Sequence, residues 1–234
     1  RYFERTFQMM ADAAINPNFT EEEFVKERDV IIDALKASEK DVTNAARRVE
    51  RLLAYGTNHP YGEYTTPGTV NNITLADVQR FYDFRFRPNN AYLVIVGDID
   101  METVKPLVKK YFGKWKPNPV ASSPIPEVKN PKSPQIDFVN MPNAVQSEVV
   151  VQSTAYLAKK DPEYFAVLMA NSILGGGGEA RLFLNLREDK GYTYGAYSSI
   201  GNDKRTATRF RASASVRNEV TDSAVVELLN EVKR

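Results

Sequence analysis

The sequence predicts a chain of mixed helices and strands in two parts, and two observations carry that reading. Long stretches repeat apolar residues at helical spacing, while shorter runs are continuously apolar or alternate with polar residues. Between them, Lys114–Gln135 holds six of the chain's thirteen prolines and reads as an extended linker. The expected division is residues 1–113, a linker over 114–135, and residues 136–234.

The elements follow in order. Arg1 to Met10 is already helical in pattern, without an initiator methionine or a cap, and reads as a truncation. Asn16-Pro17-Asn18-Phe19 breaks that helix, and Thr20 with Glu23 forms a capping box for a helix over 21–39. A third helix is expected over 42–54, then a loop through His59-Pro60-Tyr61-Gly62 and Pro67-Gly68. Thr74 caps a helix that stops before Pro88, and the unbroken apolar run Ala91–Val96 reads as a buried strand. A helix over 102–112 closes the first part. The second part is expected to hold strands near 136–139 and 146–152, a helix over 161–174, a strand over 209–216 and a helix over 220–233.

Bulk composition excludes several functions. Thirty-one Lys plus Arg against thirty Asp plus Glu leave a net charge of +1, which provides no field for nucleic acid. No apolar run approaches a membrane span, and no signal peptide is visible. With no cysteine and a single histidine, His59, a self-contained zinc site has almost nothing to draw on. His59 itself reads as a loop residue tying down a turn.

The most informative stretch is Leu174 to Tyr194. Gly175-Gly176-Gly177-Gly178 can approach another segment closely, and Leu182, Phe183 and Leu186 then recur at helical spacing. Gly191 stands where a helix end favours a left-handed residue, and Tyr192 to Tyr197 alternates as a strand does. The glycine run is not a phosphate loop, because no Lys-Ser or Lys-Thr follows at the required spacing.

As a whole, LGGGGEARLFLNLREDKGYTYGAYSS resembles the second-domain signature of the pitrilysin/insulinase-type (M16) zinc metallopeptidases, the family that includes mitochondrial processing peptidase. Asn16-Pro17-Asn18-Phe19, His59-Pro60-Tyr61-Gly62, Phe86-Arg87-Pro88-Asn89-Asn90, Val96-Gly97-Asp98-Ile99 and Asp161-Pro162-Glu163-Tyr164 extend the likeness along nearly the whole chain. The resemblance implies an α+β fold of the M16/LuxS-like kind: two related domains of antiparallel sheet plus helices. Residues 1–113 would be the later half of the first domain, and 136–234 the earlier half of the second.

The resemblance also locates the chemistry. The family's H-x-x-E-H motif, which supplies two zinc ligands and the general base, is absent here and would lie upstream of Arg1. Its third ligand, a glutamate, would fall on Ala34, which cannot bind metal; Glu27 matches a supporting position. Asp33 and Glu39 lie off that helical stripe. No catalytic or metal residue is therefore expected in this chain, which would be inactive alone, with zinc in a catalytic partner. Arg187 and Tyr194 would be substrate-binding, with Gly175, Gly176 and Gly177 as the adjoining loop. Arginine offers charged forked donors to a peptide carbonyl, and a tyrosine hydroxyl can stabilise an oxyanion.

The implied function is the non-catalytic, substrate-binding part of a zinc metalloendopeptidase. Its partners would be a catalytic M16 subunit or repeat and an unfolded peptide substrate, and self-association of the fragment is also expected. Two alternatives stay open: a structural homologue without proteolytic role, and a fragment of an active zinc peptidase whose H-x-x-E-H lies upstream. Location is open too, with a bacterial periplasm or cell envelope favoured over cytoplasm.

Overall fold

Side-chain oxygens set the starts of most helices in the computed structural model. It describes residues 2–120 and 122–234; Arg1, at the head of the expected N-terminal helix, and Ala121, within the proline-rich segment, lie outside the described residues. Helix α1 (Phe3–Ile15) has no side-chain cap, but α2 (Glu21–Ser38) opens where the Glu23 amide donates to Thr20 Oγ1 at 3.3 Å. Asp41 caps α3 (Val42–Tyr55) by accepting from the Asn44 amide at 2.7 Å. Reciprocal boxes, Thr66 with Thr69 and Thr74 with Asp77, open α4 (Pro67–Asn71) and α5 (Leu75–Arg85). The loop expected at Pro67-Gly68 is thus a short helix, since proline is suited to a first turn, where its missing N–H has no partner to lose. Asp100 caps α6 (Met101–Phe112).

The chain divides into two units: residues up to 36 with 65–123, and residues 37–64 with 124–234. In the first unit, Phe7 of α1 packs edge-on against Tyr111 and Phe112 of α6, with ring centroids 6.1 and 5.6 Å away. The Tyr82 hydroxyl donates to the Ala14 carbonyl at 2.6 Å, tying α5 to the end of α1. Ala91–Val96 is not the buried strand expected. No ladder forms there, and Tyr92, Val94 and Val96 are 99%, 78% and 93% exposed. Leu93 and Ile95 instead line an open apolar cleft with Ile99, Met101, Val104 and Val108. Burial of a strand's second face requires a neighbouring layer, and none is present among the described residues. Ile136–Val139 likewise joins no sheet and is exposed.

The second unit is built on an antiparallel sheet of β1 (Gln146–Ala155), β2 (Thr193–Ile200) and β3 (Thr208–Arg217), in the order β1-β3-β2. Alternation sorts its faces. Val149, Ala196, Ala212, Ala214 and Val216 form one face and pack on Leu182, Leu186, Ala224 and Leu228. The helices behind that face are α7 (Tyr164–Gly175), α8 (Arg181–Phe183) running into a π-helical turn over Leu184–Asp189, and α9 (Thr221–Lys233).

The opposite face is polar, and α3 lies against it. Glu50 of α3 accepts from Arg209 Nη1 at 2.9 Å and Arg211 Nε at 2.8 Å. Arg211 Nη2 also donates to Glu148 at 2.9 Å, and Gln152 Nε2 donates to the Glu50 carbonyl at 3.0 Å. These bonds explain why residues 37–64 pack with the C-terminal unit. Charges this deeply buried must be paired to be tolerated.

Candidate functional site

The glycine stretch does not form one loop. Gly175 is the last residue of α7 and is buried; a Cβ there would lie 2.2 Å from the Ser198 amide nitrogen. At Gly176 it would meet Ser172 at 2.6 Å, while Gly177 faces open space. None of the three has a positive φ. The first two glycines therefore serve close packing, and only Gly177 presents an open position. Gly191 does adopt φ 62°, as a helix stop should, and Tyr192 N donates to the Leu186 carbonyl at 2.9 Å across it.

Between these stops, α8 is held to α9. Arg181 pairs with Glu231 at 2.6 Å, and Asn185 Nδ2 donates to Glu231 and Glu227 at 2.9 and 3.0 Å. Burial raises the Glu231 carboxyl, but the bonds from Asn185 and Arg181 outweigh it and hold it below the usual range. Arg181 is thus committed to structure.

Arg187 is not. Its guanidinium carbon stands 4.6 Å from the Phe183 ring centroid, and its only ionic neighbour among the described residues is Glu188, 3.5 Å from Nε. The side chain remains 46% exposed. Tyr194 follows on β2 at a register shift: Thr193 pairs with Val216 but Ala196 with Ala214, so three steps on β2 oppose two on β3. The Thr193 hydroxyl holds this bulge, donating to the Ser215 carbonyl at 2.7 Å and accepting from the Gly195 amide at 3.1 Å. Bulges re-aim side chains. Here Tyr194 stands 89% exposed, although it lies within a strand. No hydrogen bond joins Arg187 to Tyr194 among the described residues; both present free donors.

The buried Phe183 beneath Arg187 and the half-exposed Tyr197 beside it escaped sequence reasoning as parts of the site. Their rings are 5.9 Å apart; in the sequence Tyr197 stands only in the alternation over 192–197 and Phe183 only at helical spacing with Leu182 and Leu186. At the outer edge of β2, Asn171 of α7 donates to the Ser198 carbonyl at 3.3 Å and accepts from its hydroxyl at 2.9 Å.

The residues present do not fit a zinc site. Ala34 is exposed on α2, and Asp33 is engaged with Lys36 at 3.8 Å. Among the described residues no group of three or more His, Cys, Asp or Glu is arranged for a metal ion. His59 is 1% exposed with both ring nitrogens taken. Nδ1 accepts from the Tyr61 amide at 3.0 Å and Nε2 lies 3.0 Å from Thr206 Oγ1, which makes Nε2 the protonated nitrogen. Tyr55 stacks on the ring at 4.9 Å. The turn reading of His59 accounts for all of these contacts.

The same corner supports a pH prediction. Asp203 accepts from the Arg205 amide and from the Tyr61 hydroxyl at 2.7 Å, which holds its carboxyl below the usual range. The same bond raises the Tyr61 phenol above its usual value. The lowered acid contributes stability above the ordinary aspartate value of about 3.9, which is lost as pH falls through its folded value. The raised phenol's contribution is present below about pH 10 and is lost as pH rises through its folded value. Tyr61→Phe should cost about 1 kcal/mol near neutrality, a figure reduced for solvent screening at this partly exposed site. Thermal melts should show the gap from wild type closing as pH falls below the ordinary aspartate value; an equal gap in strong acid would reject this account.

Comparison with known proteins agrees with this architecture. The family model described as peptidase M16 inactive domain matches residues 72–234. Zinc protease PqqE of Helicobacter pylori is 25% identical over 249 residues, covering 100% of this chain and 56% of that protein. The uncharacterized zinc protease YmxG of Bacillus subtilis is 24% identical, covering 97% of this chain and 54% of that protein. The chain thus spans about half the length of the curated relatives it matches. A crystal structure titled peptidase M16 inactive domain, from Pseudomonas fluorescens, superposes with a TM-score of 0.87 at 22% identity, over 99% of this chain and 55% of that one. The periplasmic protease PqqL from Escherichia coli superposes with a TM-score of 0.66 at 21% identity, over 98% of this chain and 26% of that one. No helix among the described residues is long and apolar enough to cross a membrane. The helix-backed antiparallel sheet is the fold of the M16 inactive-domain structures, and the chain belongs to the peptidase M16 family.

Proposed function

We propose that this chain is the non-catalytic, substrate-binding part of a zinc metalloendopeptidase, working with a catalytic subunit or repeat of the same family. The observation that carries this reading is the exposure of Tyr194 on a bulge that a threonine hydroxyl holds in place. On the bulge the Tyr194 side chain is open to a ligand. Arg187 supports the reading, because its guanidinium carbon lies 4.6 Å from the Phe183 ring centroid and a contact of that kind leaves N–H donors available. Arg187 offers a charged fork to a peptide carbonyl and Tyr194 a neutral hydroxyl, and Gly177 leaves the adjacent backbone open. Gly175 lets α7 approach β2 at Ser198, while Gly176 lies close on Ser172 of α7 itself. The zinc chemistry belongs to the partner in this proposal.

The test uses the full-length protein with its zinc-bearing half and an unstructured peptide. Arg187→Ala and Tyr194→Phe should each lower turnover roughly tenfold to a hundredfold, as expected for charge-assisted or oxyanion hydrogen bonds. A fall in kcat would assign transition-state contact, and a rise in KM alone uniform substrate binding. If both variants stay folded and neither constant moves, the scaffold reading replaces this one.

A further inference from the structure

We infer that Phe183, braced by Tyr197, is a positioning residue that fixes the direction in which Arg187 presents its hydrogen-bond donors. The inference rests on the peptide-binding role proposed above for Arg187. Phe183 and Arg187 are four residues apart across the start of the π-helical turn, so their side chains share one helix face. Phe183 is buried while Arg187 is half-exposed, so the ring is fixed and the guanidinium above it is solvent-accessible. Stacking engages only the flat face of a guanidinium and leaves the N–H groups at its edge free. Among the described residues, the two Nη atoms of Arg187 make no hydrogen bond, and the long contact from Nε to Glu188 is the only polar tether. A surface arginine otherwise loses a good deal of rotamer entropy on binding, and the ring underneath removes part of that loss in advance.

The ring is itself held. Tyr197 packs on Phe183 with centroids 5.9 Å apart and planes at 47°. The Tyr197 ring lies back over Gly195, where a Cβ would come within 2.6 Å of Cε2 and 2.8 Å of Oη. Any side chain at Gly195 would force the Tyr197 ring out of its present place against Phe183. Gly178, at the end of the glycine stretch, lies beside the same ring, its Cβ position 3.8 Å from Phe183 Cε1. The order of support therefore runs Gly195, Tyr197, Phe183, Arg187.

The test compares Phe183→Leu, Phe183→Tyr and Gly195→Ala with wild type, in the full-length protein with its zinc-bearing half. One readout is the Nε–H nuclear magnetic resonance signal of Arg187, assigned through Arg187→Ala, which a ring beneath it shifts upfield. The other is kcat and KM on an unstructured peptide. Phe183→Leu should lose the upfield shift and lower turnover about threefold to tenfold, the scale of a partly exposed cation–aromatic contact. Phe183→Tyr should keep both, and Gly195→Ala should reproduce the direction of the leucine variant with a smaller effect. An unchanged Arg187 signal in Phe183→Leu overturns the inference. So does a lost signal without any change in turnover, provided that Arg187→Ala does reduce turnover. If Arg187→Ala leaves turnover untouched, it is the peptide-binding role itself that fails, and the two failures are distinct.

Discussion

Replacing Glu50 by alanine is expected to destabilise the unit that carries the candidate site by about 3–5 kcal/mol, the usual cost of breaking a buried ion pair from one side. For a chain of this length that corresponds to a melting temperature lower by roughly 6–20 °C. Glu50 is 5% exposed and is shared between Arg209 and Arg211. Burial lowers the Arg209 guanidinium, and Glu50 is the main group opposing that effect. Burial also acts against Arg211, but its hydrogen bonds and attraction to Glu50 and Glu148 raise it overall. Without Glu50, Arg209 loses its only ion-pair partner among the described residues, and Arg211 keeps only Glu148. Glu50→Gln should fall between the two, keeping hydrogen-bond capacity while losing the charge. A drop of under 2 °C for Glu50→Ala would mean that the arginines reach water or other partners, contrary to this account.

The second large effect is expected at Gly175. Gly175→Ala should cost about 3 kcal/mol or more, at the upper end of overpacking penalties, and Gly177→Ala only a few tenths. The Cβ at Gly175 would lie 2.2 Å from a strand amide, 2.6 Å from Ser198 Oγ and 2.9 Å from Leu182 Cδ1. All three atoms belong to the buried residues Ser198 and Leu182, which have little room to step aside, and the first is backbone. Thermal melts of the two single variants settle the matter. Equal, small effects would show that the glycine stretch is a flexible turn after all.

Features set by local chemistry were legible in the sequence. Thr20 and Thr74 open helices as their neighbours suggest, Gly191 stops one with a left-handed residue, and the strand expected over 209–216 forms as Thr208–Arg217. Features that depend on distant partners were not. Ala91–Val96 has the composition of a buried strand, yet apolar content does not by itself supply a second layer. Nothing beside Glu50 in the sequence points to its partners, because its arginines lie 159 and 161 residues away. The candidate site divides in the same way. Arg187 and Tyr194 stand out through their setting in a recognisable string, whereas Phe183 stands only in a helical repeat and Tyr197 only in an alternating strand. The bulge that turns Tyr194 outward depends on a threonine hydroxyl reaching across to β3, and no local pattern announces that.

The contact between Asn171 and Ser198 has a bearing on solubility. Gly201 N donates to the Arg209 carbonyl at 3.2 Å, and the strand register then turns Tyr197 and Ser199 toward β3 and the Ser198 backbone away from it. An outward carbonyl on an outer strand is where an identical chain could add the next rung and begin a growing fibre. The amide of Asn171 fills that position with a side chain, which has no further rung to offer. At Ser198, sheet growth ends within the molecule.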